Sequence, residues 1–94
     1  MNMDRETVKT AIRAQVIELA SALGMDASEI GDDDVIPATG LLDSTAILQL
    51  VVWYEQTYAL PLKQEEINID NLGSINAMTE FLLARKATTA SRAA

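Results

Sequence analysis

The chain has 94 residues, room for one small domain with a single core, and 49% of them are apolar, too many for a disordered segment. It contains no histidine and no cysteine. That removes the usual general base, the commonest metal ligand, the thiolate nucleophile and any disulfide. The remaining carboxylates, lysines and hydroxyls form no recognisable triad or dyad, so the chain is not expected to be an enzyme.

The net charge of −7 is unevenly spread. No lysine or arginine occurs from Ala14 to Leu62, a stretch that carries Glu18, Asp26, Glu29, Asp32, Asp33, Asp34, Asp43 and Glu55. The cations lie outside it, at Arg5, Lys9, Arg13, Lys63, Arg85, Lys86 and Arg92. Such a field repels nucleic acid and anionic membranes and attracts basic docking surfaces. With no run of eighteen apolar residues and no signal-peptide pattern, a soluble, cytoplasmic monomer is expected.

In chain order, the first helix is expected from about Arg5 to Leu23. Asp4 can cap it, Val8, Ile12, Val16, Leu19 and Leu23 form one apolar stripe, and Gly24 ends it. Residues 24–43 form a long connection in which Ile30, Val35, Ile36, Leu41 and Leu42 should pin the backbone to the bundle, while Pro37 and Gly40 break any long helix. Asp32-Asp33-Asp34 invites a calcium reading, but the EF-hand spacing is missing and a solvated loop is expected.

The second helix follows, an apolar helical run from Thr45 to Tyr58. Ile47, Leu50, Val51, Tyr54 and Tyr58 should face the core, and Thr45, Gln49, Val52, Trp53 and Gln56 the outside. That outer face is uncharged and partly apolar. Leu60-Pro61 then stops the helix. A short turn is expected around Lys63 to Ile67, with Ile67 and Ile69 inward. Ser74 should cap a last helix whose buried stripe is Ile75, Met78, Phe81 and Leu82. Residues 87–94 read as a disordered tail, leaving residues 1–86 as the domain. The fold class is all-α: a bundle of three longer helices and one short one, with a long first loop.

The helix start at Gly40-Leu41-Leu42-Asp43-Ser44 is over-supplied with capping groups. Asp43 and Ser44 are both good N-cap residues, yet one side chain suffices for the cap. If Asp43 caps, Ser44 becomes the first helical residue and its Oγ can point to solvent. The helix dipole there favours an attached phosphate.

In these residues the chain resembles the acyl and peptidyl carrier proteins, whose attachment site is Gly-x-Asp-Ser or Leu-Asp-Ser at the head of the second helix. The likeness extends from about Val8 to Arg85 through Leu50 and Val51, the Tyr58 to Pro61 turn, and the segment Glu66-Ile67-Asn68-Ile69-Asp70-Asn71-Leu72-Gly73-Ser74-Ile75, and it is nearest to stand-alone aminoacyl carriers. The resemblance implies a four-helix carrier bundle. It also implies that a phosphopantetheinyl transferase places 4′-phosphopantetheine from coenzyme A on Ser44, with Asp43 shaping the helix start and helping the transferase dock. The arm would hold an acyl or aminoacyl group as a thioester, loaded by an adenylate-forming or synthetase-like ligase and passed to a downstream acceptor enzyme. Leu42, Thr45, Gln49, Val52 and Trp53 are the expected partner-facing residues.

The chain departs from fatty-acid carriers in having Thr45, Ala46 and Gln49 where an aliphatic residue and acids are usual. That weakens steering toward their basic partners and tilts the reading toward a dedicated aminoacyl carrier. Tyr54 and Tyr58, expected to line any cavity, argue for a short polar cargo. The alternatives are a specialised acyl carrier for fatty-acid, lipid or polyketide synthesis, and an unmodified helical interaction module.

Overall fold

A computed structural model describes residues 4–93, with side chains from Asp4 to Lys86. The chain folds into α1 (Arg5–Ala22), α2 (Ile36–Thr39), α3 (Ser44–Thr57), a 3-10 turn (Gln64–Glu66), α4 (Ile69–Leu72) and α5 (Ile75–Ala93). No strand is present among the described residues, and none of their helices is long and apolar enough to cross a membrane. Three long helices carry the bundle: α1 packs against both α3 and α5, and α4 rests on α5.

Helix α1 starts where Asp4 accepts a 2.8 Å hydrogen bond from the Thr7 backbone N–H. This satisfies one of the free donors of the first turn. Val8, Ile12, Val16 and Ala20 are buried along one face. Leu23, expected to close that stripe, is 45% exposed. The helix ends at Ala22 and the chain turns through Gly24 at φ 78°, so Leu23 leaves the helical period and Ala20 takes its place in the core.

The long connection is pinned as its apolar residues suggest, by Ala27, Ile30, Ile36 and Leu42, whereas Val35 faces outward. Its three consecutive aspartates serve different partners. Asp32 pairs with Lys9 at 3.0 Å and with Arg13, which also donates to the Ile30 carbonyl. Asp33 accepts from the Asn76 side-chain amide at 2.7 Å, and Asp34 accepts from the Gly31 N–H at 2.8 Å. The Asn76 N–H donates to the Asp32 carbonyl at 2.9 Å. The acidic loop is thereby tied to α1 on one side and to the first turn of α5 on the other.

Inside the bundle, Tyr54 is fully buried and its hydroxyl donates to the Met78 carbonyl at 2.7 Å, joining α3 to α5. Ser74 accepts from the Ala77 N–H at 3.0 Å, as a cap should, and Ile75, Met78 and Leu82 are buried. Thr79 is buried beside them, with its hydroxyl donating to the Ile75 carbonyl at 2.8 Å. Phe81 is half-buried beneath the Arg85 guanidinium, 5.0 Å from the ring centroid. The helix bounds take in residues 87–93. The expected disordered tail falls on residues 87–94, whose side chains lie outside the described residues.

The segment before α5 differs from its sequence reading. Ile67 and Ile69, expected inward, are 44% and 60% exposed. Asn68 caps α4 by accepting from the Asn71 N–H at 2.8 Å, which starts the helix at Ile69 and turns that residue outward. Gly73 is buried at the helix end, where its carbonyl accepts from the Ile36 N–H at 2.7 Å. A Cβ at Gly73 would lie 2.3 Å from the Ile69 carbonyl oxygen, so only glycine permits this junction.

The ion pairs carry a pH signature. The Lys9 ammonium, followed by the Arg13 guanidinium, holds the Asp32 carboxyl below the usual carboxylate range. A carboxyl with a lower pKa in the folded state stabilises the fold above its unfolded value of about 4 and loses that contribution as pH falls through the folded value. Asp32→Asn should therefore melt below the unsubstituted protein at neutral pH. The gap should narrow as pH falls below the unfolded value and close as it passes through the folded one. Circular dichroism melts across a pH series would check this; a gap independent of pH would assign the effect to something other than the Asp32 charge.

Candidate functional site

The turn leading into α3 is built from short-range bonds. Gly40 ends α2 in the left-handed region at φ 75°, a conformation glycine adopts without strain. The Thr39 hydroxyl donates to the Ile36 carbonyl at 2.7 Å and accepts from the Leu41 N–H at 3.2 Å. Leu42 is buried and Leu41 half-buried, so the loop is seated on the core immediately before the acidic and hydroxyl pair.

Asp43 takes the cap. Its backbone is extended (φ −85°, ψ 179°), and its Oδ1 accepts from the Ala46 N–H at 2.8 Å. Ser44 is the first residue of α3 and is exposed. Among the described residues its Oγ has no hydrogen-bond partner. The helix presents a free primary hydroxyl beside the unpaired N–H groups of its first turn, where negative charge is stabilised.

Along α3, Thr45, Gln49, Val52 and Gln56 are exposed, as their spacing implies. Leu48, which no pattern singled out, is 63% exposed and adds a large apolar side chain to this neutral surface. The acid of the helix, Glu55, turns back to accept from the Leu62 N–H at 3.1 Å. Leu42 contributes by anchoring the loop, since it is buried and does not face outward. Trp53 is half-buried and meets Tyr58 edge-on at 5.9 Å, and Tyr58 in turn meets Tyr54 at 5.8 Å. Burial pushes the hydroxyl pKa of both tyrosines up.

On the other flank of α3 lies an apolar cleft of about 180 Å³. Ile47 and Val51 line it from α3, Ile67, Ile69 and Leu72 from the segment before α5, and Pro37 from α2. Ile47 follows Ser44 by three positions and so shares its side of the helix one turn further on. The α3 wall of the cleft thus begins one turn after Ser44, which does not itself line it. Sequence spacing placed Ile47 and Val51 on one face, but Ile67 and Ile69 sit in a segment too short to show a period. Their only sequence signal was two isoleucines set among Asn, Asp and Glu.

Comparison of the chain with protein-family models, with curated proteins and with solved structures finds no match.

The capping arrangement separates the roles of the two site residues. Asp43→Ala should cost about 1 kcal/mol of stability through the lost cap. Ser44→Ala should cost less, because alanine is a better helix former and no bond to Oγ is lost. Urea unfolding of both variants tests this; a Ser44→Ala loss as large as that of Asp43→Ala would make the serine structural.

Proposed function

We propose that this chain is a carrier protein that bears 4′-phosphopantetheine on Ser44, placed there from coenzyme A by a phosphopantetheinyl transferase. The observation that carries this reading is the division of labour at the head of α3. Asp43 alone satisfies the cap, so Ser44 is left exposed with an unbonded Oγ. A serine needed for the helix would be bonded to it.

The residues present fit such a group. The first turn of α3 offers N–H groups and a positive dipole end to a phosphodiester, and the Gly40 turn and buried Leu42 hold that turn on the core. With neither histidine nor cysteine in the chain, Ser44 has no neighbouring imidazole to activate it. It is a residue acted upon by a partner enzyme. When bound, the arm supplies a thiol that carries a carboxylic acid as a thioester and converts diffusion between enzymes into a tethered search.

For the cargo, the neutral surface of Thr45, Gln49 and Val52 supports a dedicated aminoacyl carrier, served by its own adenylate-forming or synthetase-like ligase and a downstream acceptor. A second reading, a specialised acyl carrier, is favoured by the apolar cleft. Tyr54 and Tyr58 do not line that cleft, so the phenols present no obstacle to an aliphatic chain there. Those two side chains therefore do not favour a polar cargo over an aliphatic one.

Incubation with coenzyme A and a promiscuous transferase should add one arm by intact mass, and Ser44→Ala should add none. Absence of modification in the unsubstituted protein would favour an unmodified interaction module, and modification persisting in Ser44→Ala would move the site elsewhere. Loading the modified protein with octanoyl or glycyl groups separates the two cargo readings. Burial of an octanoyl chain worth about 1 kcal/mol would raise Tm by about 4–8 °C in a domain of this size. Equal Tm for the two loaded forms would support the aminoacyl reading.

A further inference from the structure

On its way to the free hydroxyl of Ser44 the chain passes two anchors. The first is α2. Ile36 is buried, its N–H donates to the Gly73 carbonyl at 2.7 Å, and the Thr39 N–H donates to the Val35 carbonyl at 3.1 Å. The second is the head of α3, where Leu42 is buried and Asp43 takes the cap. Gly40 and Leu41 join the two.

That link has little of its own to hold it. Gly40 stands at φ 75°, and a Cβ built on it would meet nothing within 4 Å, so no neighbouring group wedges the turn. Glycine takes φ of either sign about equally well, and its dihedral alone does not select one path. Thr39 selects it. Its hydroxyl donates back to the Ile36 carbonyl at 2.7 Å and accepts from the Leu41 N–H at 3.2 Å, across the glycine. Among the described residues the Leu41 N–H has no other partner. One side chain thus clamps the first anchor to the link three residues before Ser44.

We infer that Thr39 is a positioning residue for Ser44: its doubly bonded hydroxyl holds the Gly40–Leu41 turn in one shape, so that the transferase meets Ser44 on a preformed approach. The inference rests on the carrier reading given above and adds a residue to it. Thr39 acts through the turn and not on the reacting hydroxyl, whose Oγ is unbonded. Removing the Thr39 hydroxyl lowers the fraction of molecules in the competent shape. That raises KM by the inverse of the fraction and leaves kcat in place.

Steady-state kinetics of arm addition from coenzyme A by a promiscuous transferase test this. Thr39→Val keeps the β-branch and drops the hydroxyl. It should raise KM for the carrier about fivefold, with kcat within about twofold of the parent. Thr39→Ala should match it, and Thr39→Ser, which restores the hydroxyl, should bring KM back to within about twofold of the parent. Without any transferase, amide exchange of the Leu41 N–H should quicken about fivefold in Thr39→Val and stay near the parent rate in Thr39→Ser. An unchanged KM in Thr39→Val, a fall confined to kcat, or no rescue by Thr39→Ser would overturn the inference while leaving Ser44 as the site. Equal loss of helical circular dichroism in Thr39→Val and Thr39→Ala would also overturn it, by making Thr39 a structural tie. If the unsubstituted protein takes no arm, the carrier reading itself fails and the inference goes with it.

Discussion

The arrangement of this small bundle depends on the buried hydroxyl of Tyr54. A phenol cannot be left in an apolar core without a partner, because an unpaired buried hydroxyl costs about 1–3 kcal/mol. Here the Met78 carbonyl is that partner. The bond sets the rotation of α3 about its own axis, since only one azimuth lets the ring enter the core and reach α5. At 3.6 residues per turn, Ile47 two turns earlier then falls on nearly the same side, and Val51 beside it. One wall of the cleft follows from the placement of one hydroxyl. The exposure of Thr45, Gln49 and Val52 follows from the same rotation.

Charge is organised around that frame rather than within it. Lys9 and Arg13 on α1 are spent on Asp32, Arg85 on Glu66 and Arg5 on Glu80. The cations thus tie α1 to the acidic loop and to α5, and α5 to the segment before α4. The stretch from Ala14 to Leu62 keeps its acids without a single cation of its own. The exposed face of α3 beside Ser44, formed by Thr45, Leu48, Gln49 and Val52, carries no charge.

The long helices were legible because each carries both a period and a cap. Asp4, Asp43 and Ser74 all cap as their sequence context suggests. The choice between Asp43 and Ser44 as cap was an alternative in the sequence, and the bond to the Ala46 N–H decides it. Less could be read where a single turn is too short for periodicity. The turns at Ile36–Thr39 and Ile69–Leu72 have four residues each, and the direction of their side chains is decided by distant contacts. Ile67 and Ile69 face outward because Asn68 caps behind them, a signal only three residues long, and because Gly73 meets Ile36, a contact no local pattern encodes. Leu23 was misread for a simpler reason: the helix stops one residue before it.

The junction at Gly73 also shows how remote parts of the chain must meet to make the cleft. Each helix cap closes a loop of three residues, whereas the link from Asp33 to Asn76 joins positions 43 apart and that from Arg5 to Glu80 joins positions 75 apart. Loop-closure entropy rises only with the logarithm of that separation, so the two long closures differ little in cost. Pro37 and Gly73, which border the cleft, lie beside the first of them. The cleft therefore exists only where two segments far apart in sequence have already docked, and a change at either one reaches it.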